Sequence, residues 1–117
     1  MAVHFTTSAA QALLKAFDAR IAQTEPKGKI TTWEKNADGK YYTHKAAEWH
    51  GLAWFLPKVE NNQLTFNIIK PQKNNVTWLV YAYYHGHLIE TFINHFHDSF
   101  ANAVASALAE NGDNCGS

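Results

Sequence analysis

The sharpest chemical grouping in the chain is Tyr83-Tyr84-His85-Gly86-His87. Two imidazoles and two phenols beside a glycine can donate to a phosphate or carboxylate, and histidine titrates near neutrality. Where a buried strand gives way to a helix, free N–H groups at the helix start add to such an anion site. Gly86 allows close approach, although a strand-to-helix turn also asks for glycine on geometric grounds alone. Neither the dinucleotide-binding glycine pattern nor the P-loop pattern occurs.

Seven histidines raise the question of a metal. On a helix His95 and His97 point about 200° apart, and His87 lies about 12 Å of rise from His95, so neither pair shares an ion. No HExxH or CxxC spacing is present. Local spacing therefore predicts no metal and no cofactor, while non-local pairing with His44 or His50 stays open. No GxSxG places a nucleophile. The lone Cys115 sits in a polar tail, read here as a frayed end over residues 112–117.

The elements that must position these groups are read from periodicity. Ser8 followed by Gln11 suggests a capping box, and Leu13, Phe17 and Ile21 form one apolar stripe on a helix over residues 9–23. Strands are expected over 30–35 and 40–45, flanking the turn Asn36-Ala-Asp-Gly39, then over 52–59 and 64–70. Val76–Tyr84 is apolar or aromatic on both parities and reads as a fifth, central strand. From His87 to Glu110, Ile89, Phe92, Ile93, Phe96, Phe100, Ala103, Val104 and Ala107 share one helical arc, which predicts a long helix closed by Asn111-Gly112. The expectation is a single α+β domain over residues 1–117. It has an N-terminal helix, a five-stranded antiparallel sheet and a long C-terminal helix, with both helices on one face of the sheet.

The 117 residues carry ten Lys+Arg against ten Asp+Glu, which argues against a general attraction to nucleic acid or anionic membrane. The balance is local, however. Residues 27–84 hold eight lysines against four acids, and residues 85–117 hold four acids and no Lys or Arg. A basic sheet and an acidic helix suit docking of one copy on another. Arginine, which base reading favours, occurs once, as Arg20.

The four tryptophans and five tyrosines fall mostly in the expected sheet. Ordinary packing explains them first, a protein interface second, and stacking of single-stranded bases third. The reading is a small non-catalytic interaction protein, a regulator, inhibitor or adaptor, that forms a homo-oligomer or takes a protein partner. It works through an aromatic and lysine-bearing sheet face or the acidic face of the last helix, with Tyr81, Tyr83, Glu90, Asn94 and His97 at the interface. The alternatives are a small anionic-ligand or enzyme site at Tyr83, Tyr84, His85, Gly86 and His87, and single-stranded nucleic-acid binding. No apolar run long enough to cross a bilayer is present, and no basic or apolar leader opens the chain, so a cytosolic location is expected.

Overall fold

The computed structural model describes residues 1–116. Among them the elements run β1 (Ala2–Thr6), α1 (Ala10–Ala22), β2 (Trp33–Lys35), β3 (Tyr42–His44), β4 (Trp54–Val59), β5 (Gln63–Ile69), α2 (Trp78–Phe96) and β6 (Ala103–Ala105). The strands form one sheet in the order β2-β3-β4-β5-β1-β6, antiparallel throughout. The α+β class holds. The sheet has six strands rather than five, and two of them are not among those expected.

The β2–β3 hairpin turns where Asp38-Gly39 stands: Gly39 has φ +71° and its N–H donates to Asn36 O at 2.9 Å. The β4–β5 hairpin turns at Asn61-Asn62, closed by Glu60 N–H to Gln63 O at 3.0 Å. β1 then inserts between β5 and β6 and is a central strand. Met1, Val3 and Phe5 alternate onto the helix-covered face and are buried.

Both helices cover that face. Phe17 of α1 and Phe92 of α2 approach Phe66 of β5 with ring centroids at 5.9 and 5.6 Å, and each other at 4.9 Å. Phe92 also stacks on Phe5 at 4.2 Å. α1 begins at Ala10 without a side-chain cap: Ser8 is exposed, and it is the Thr7 hydroxyl that accepts the Ala9 N–H, at 3.1 Å.

The main departure lies between residues 76 and 110. Val76–Tyr84 is not a strand. Thr77 caps a helix, its hydroxyl accepting the Val80 N–H at 3.2 Å. From there Tyr81, Tyr84, Leu88 and Phe92 make the buried stripe at helical spacing. Nor does the helix reach Glu110. After Phe96 the chain turns, with Ser99 N–H on Phe96 O at 2.8 Å, and Phe100 folds back edge-on to Phe5 at 5.1 Å. Residues 103–105 then join β1 as β6. Asn111-Gly112 is a turn in a non-helical segment, closed by Asp113 N–H to Glu110 O at 3.0 Å.

The expected frayed tail is tied down as far as Cys115. Asn114 N–H donates to Ile68 O at 2.8 Å, Lys70 N–H to Asn114 O at 2.7 Å, and Val76 N–H to Cys115 O at 3.0 Å. No helix among the described residues is long and apolar enough to cross a membrane.

Candidate functional site

The segment Tyr83–His87 lies inside α2, so its amides are not at a helix start and the expected strand–helix junction does not exist. The five residues do not converge. Tyr84 points into the core and its hydroxyl donates to Trp49 O. Gly86 is exposed, with open space where a Cβ would stand. His85 and His87, two residues apart, leave the helix on different flanks. His85 faces its own helix, with Nδ1 3.0 Å from Tyr81 O. His87 turns toward β3.

On the β3 flank four rings meet. Trp49 stacks on Tyr83 at 3.8 Å and 7°, Tyr83 on His87 at 4.1 Å and 22°, and His44 meets His87 edge-on at 5.1 Å. This is the non-local histidine pairing left open by the sequence. His50 takes no part and pairs with Glu34 at 2.7 Å.

The proton positions on this pair follow from hydrogen bonds. His44 Nδ1 accepts the Ala46 N–H at 3.1 Å, so its proton sits on Nε2. That Nε2–H faces His87 Nδ1 at 3.4 Å. A metal on His44 Nε2 would need the proton on Nδ1, which the Ala46 amide opposes. His44 is therefore held as a neutral imidazole, and among the described residues no group of three or more His, Cys, Asp or Glu is placed to hold a metal.

Burial, and secondarily the neighbouring His87, pushes the His44 imidazole below its ordinary value of 6.5. His95 is shifted the same way by burial and by Arg20, whose guanidinium donates to its Nδ1 at 3.1 Å. Both histidines bind protons more weakly in the folded chain than in the unfolded chain. Their stabilising contribution is complete above pH 6.5 and is lost as pH falls from there toward the folded values. Urea unfolding at pH 7.5 and at pH 5.5 should show the lower midpoint at pH 5.5, with a smaller difference in His44→Gln. An equal or higher midpoint at pH 5.5 would contradict this assignment.

A second polar group sits on the sheet face away from the helices. His4 Nε2 meets Glu110 Oε1 at 2.6 Å, and its Nδ1 lies 2.9 Å from Thr65 Oγ1, which donates to Glu60 Oε1 at 2.7 Å. Carboxylate, imidazole and hydroxyl in line resemble a nucleophile relay. The proton count forbids it: the Thr65 hydroxyl hydrogen goes to Glu60, so Thr65 accepts from His4 and cannot be activated by it. Bonds from Thr65 and Gln63 hold the Glu60 carboxyl below its usual range.

The expected interface residues scatter. Tyr81 is buried, its hydroxyl donating to Ala2 O at 3.2 Å, and is no surface residue. Tyr83 is half-buried in the ring stack, while Glu90 and Asn94 are exposed on α2 and His97 is exposed just past its end. Neither docking face is built from the segments expected to supply it. The tyrosines of 76–84 are on a helix rather than on a sheet. Of the four acids after residue 84, only Glu90 is helical, and Glu110 and Asp113 are taken up in pairs with His4 and the terminal amine.

The surface that sequence reading missed is the β6 edge. The sheet ends in two free strands, and they differ. β2 carries Glu34 and Lys35. β6, Ala103–Ala105, lies within the run Phe100–Ala109, which has no charge and no proline. Around it Trp78, Leu79, Val104 and Leu108 are 61, 73, 56 and 69% exposed. Trp78, Tyr81, Ala82 and His85 of α2 line a groove of about 290 Å³ against Ala105, Ser106 and Ala107. The Trp78 indole N–H donates to Ala107 O at 2.9 Å and holds the ring at the edge.

Fold and site together define an antiparallel α+β protein with one guarded and one unguarded sheet edge. No protein family, curated protein or solved structure matches the chain.

Proposed function

We propose that this chain is a non-catalytic interaction module that takes an extended strand of a protein partner along β6. The observation that carries this reading is the uncharged β6 edge, inside the charge-free run Phe100–Ala109, beside exposed Trp78 and Leu79. Natural sheets usually blunt such edges with lysine, proline or a covering element, because free N–H and C=O groups recruit another chain. An apolar strip beside a free edge is the arrangement that β-strand addition uses: the backbone supplies affinity and flanking pockets supply selectivity. The His44 and Thr65 hydrogen bonds favour this over catalysis, since the His44 Nε2–H faces His87 and the Thr65 hydroxyl hydrogen goes to Glu60.

Ala105→Pro tests the reading. In the antiparallel register Val104 pairs with His4, and Thr6 and Ala2 bond Asn102 and Ser106. The amides of Ala103 and Ala105 therefore point outward and bond nothing within the chain. Proline at 105 removes an outward donor and no internal bond. Peptides selected from a random display library on the wild-type protein should bind Ala105→Pro at least tenfold more weakly, with an unchanged circular dichroism spectrum. Equal binding by a folded Ala105→Pro would overturn the reading.

A further inference from the structure

We infer that the strand taken by β6 is the β6 of a second copy, laid antiparallel about a two-fold axis at Val104. This rests on the reading of β6 as the working edge and adds its partner.

The register carries the inference. The outward groups belong to Ala103 and Ala105, with Val104 turned inward to His4. A two-fold at Val104 sets Ala103 of one copy opposite Ala105 of the other, twice. Each of these is a hydrogen-bonded pair, so all four outward N–H groups meet four outward C=O groups. An axis one residue away leaves part of that set unmatched.

The side chains fit the same axis. Val104 shares the helix-free face with His4, its cross-strand neighbour, and is 56% exposed. Across the axis it meets its twin in a non-hydrogen-bonded pair, where Cα atoms stand about 4.5 Å apart and side chains pack most closely. On the other face Ala103 and Ala105 present only methyl groups. That leaves room for the exposed Trp78 of each copy beside the incoming strand. Self-pairing also places like residues together, which a charged edge would resist. Residues 99–109 hold no charge, so nothing opposes it.

Cysteine cross-linking tests the axis in the full chain. Cys115, whose thiol donates to Met1 Sδ at 3.3 Å, is first replaced by serine. In that background Val104→Cys should link to itself under mild oxidation, because the Cα spacing of a non-hydrogen-bonded pair suits a disulfide. Ala103→Cys faces alanine and should link at least tenfold less. Light scattering after size-exclusion chromatography should give a dimer for the wild type and a monomer for Ala105→Pro. Equal linking by both cysteines would overturn the register. A wild-type monomer with no Val104→Cys link would overturn self-pairing. In that last case, display peptides that still lose affinity for Ala105→Pro leave the edge reading standing, and peptides that do not remove both.

Discussion

Replacing Phe92 with alanine is expected to lower unfolding free energy by about 3–5 kcal/mol, the range for large aromatic truncations in a core. Phe92 is fully buried and lies where the three layers of contact meet. Its ring is within 4.2 Å of Phe5 on β1, 4.9 Å of Phe17 on α1, 5.6 Å of Phe66 on β5, and 5.3 and 6.4 Å of Phe96 and Phe100. None of these rings can close the gap without leaving another partner, so the cavity stays. A domain of this size typically has about 5–15 kcal/mol in all, so the variant sits near the edge of folding. Ile93, the next residue, is 53% exposed, and Ile93→Ala should change stability by no more than about 0.5 kcal/mol. Urea midpoints of the two variants check the contrast. Comparable losses would mean that α2 presents a different face to the sheet.

That face is where the sequence was hardest to read. Val76–Tyr84 is rich in β-branched and aromatic residues, whose strand preference is real but yields to packing. The deciding features were a single capping hydroxyl, Thr77, and the run Tyr81, Tyr84, Leu88, Phe92, which begins before the stripe that Ile89 and Ile93 suggest. Ile93 proved exposed, so the arc drawn through it was rotated from the true one. The opposite error followed at residues 101–109. Five alanines read as helix formers, yet they alternate strictly with Asn102, Val104, Ser106 and Leu108. Period two is present in the sequence, and the chain takes it up as a strand over Ala103–Ala105, with Ala105 and Ala107 against α2. β1 carried the same alternation at Met1, Val3 and Phe5. The hairpins were legible because Asp-Gly and Asn-Asn act locally.

The β6 edge proposed as the binding surface is legible only in the folded chain. An edge strand is defined by what fails to pair with it, and pairing is non-local. The charge asymmetry along the chain does not become a charged face. Glu110 meets His4 at 2.6 Å, and Asp113 turns inward. The His44–His87 contact, 43 residues apart in sequence, likewise needed β3 and α2 to be laid side by side.

Asp113→Ala is expected to cost about 3–5 kcal/mol, the penalty for stripping one member from a buried charged group. The side chain is wholly buried. Oδ1 accepts from the Asn67 side-chain amide at 2.8 Å and from Ile68 N–H at 3.1 Å, and Oδ2 from Glu110 N–H at 2.7 Å. Oδ2 also lies 3.3 Å from the Met1 ammonium. β1 ends at Ala2 beside Asn67, so Ile68 would have no neighbour there without Asp113 and Asn114. Alanine removes this acceptor from three amides and one ammonium; the Ile68 and Glu110 N–H groups lose the side-chain acceptor they have here, and the desolvation already spent on them is not recovered. Hydrogen exchange should quicken most at Ile68 and Asn114, ahead of the β4–β5 hairpin, because the loss releases this segment first. A polar tail that merely frays would show no more than about 0.5 kcal/mol on the same substitution. The size of the loss therefore decides whether residues 110–115 are a structural clasp on β5 or an incidental end.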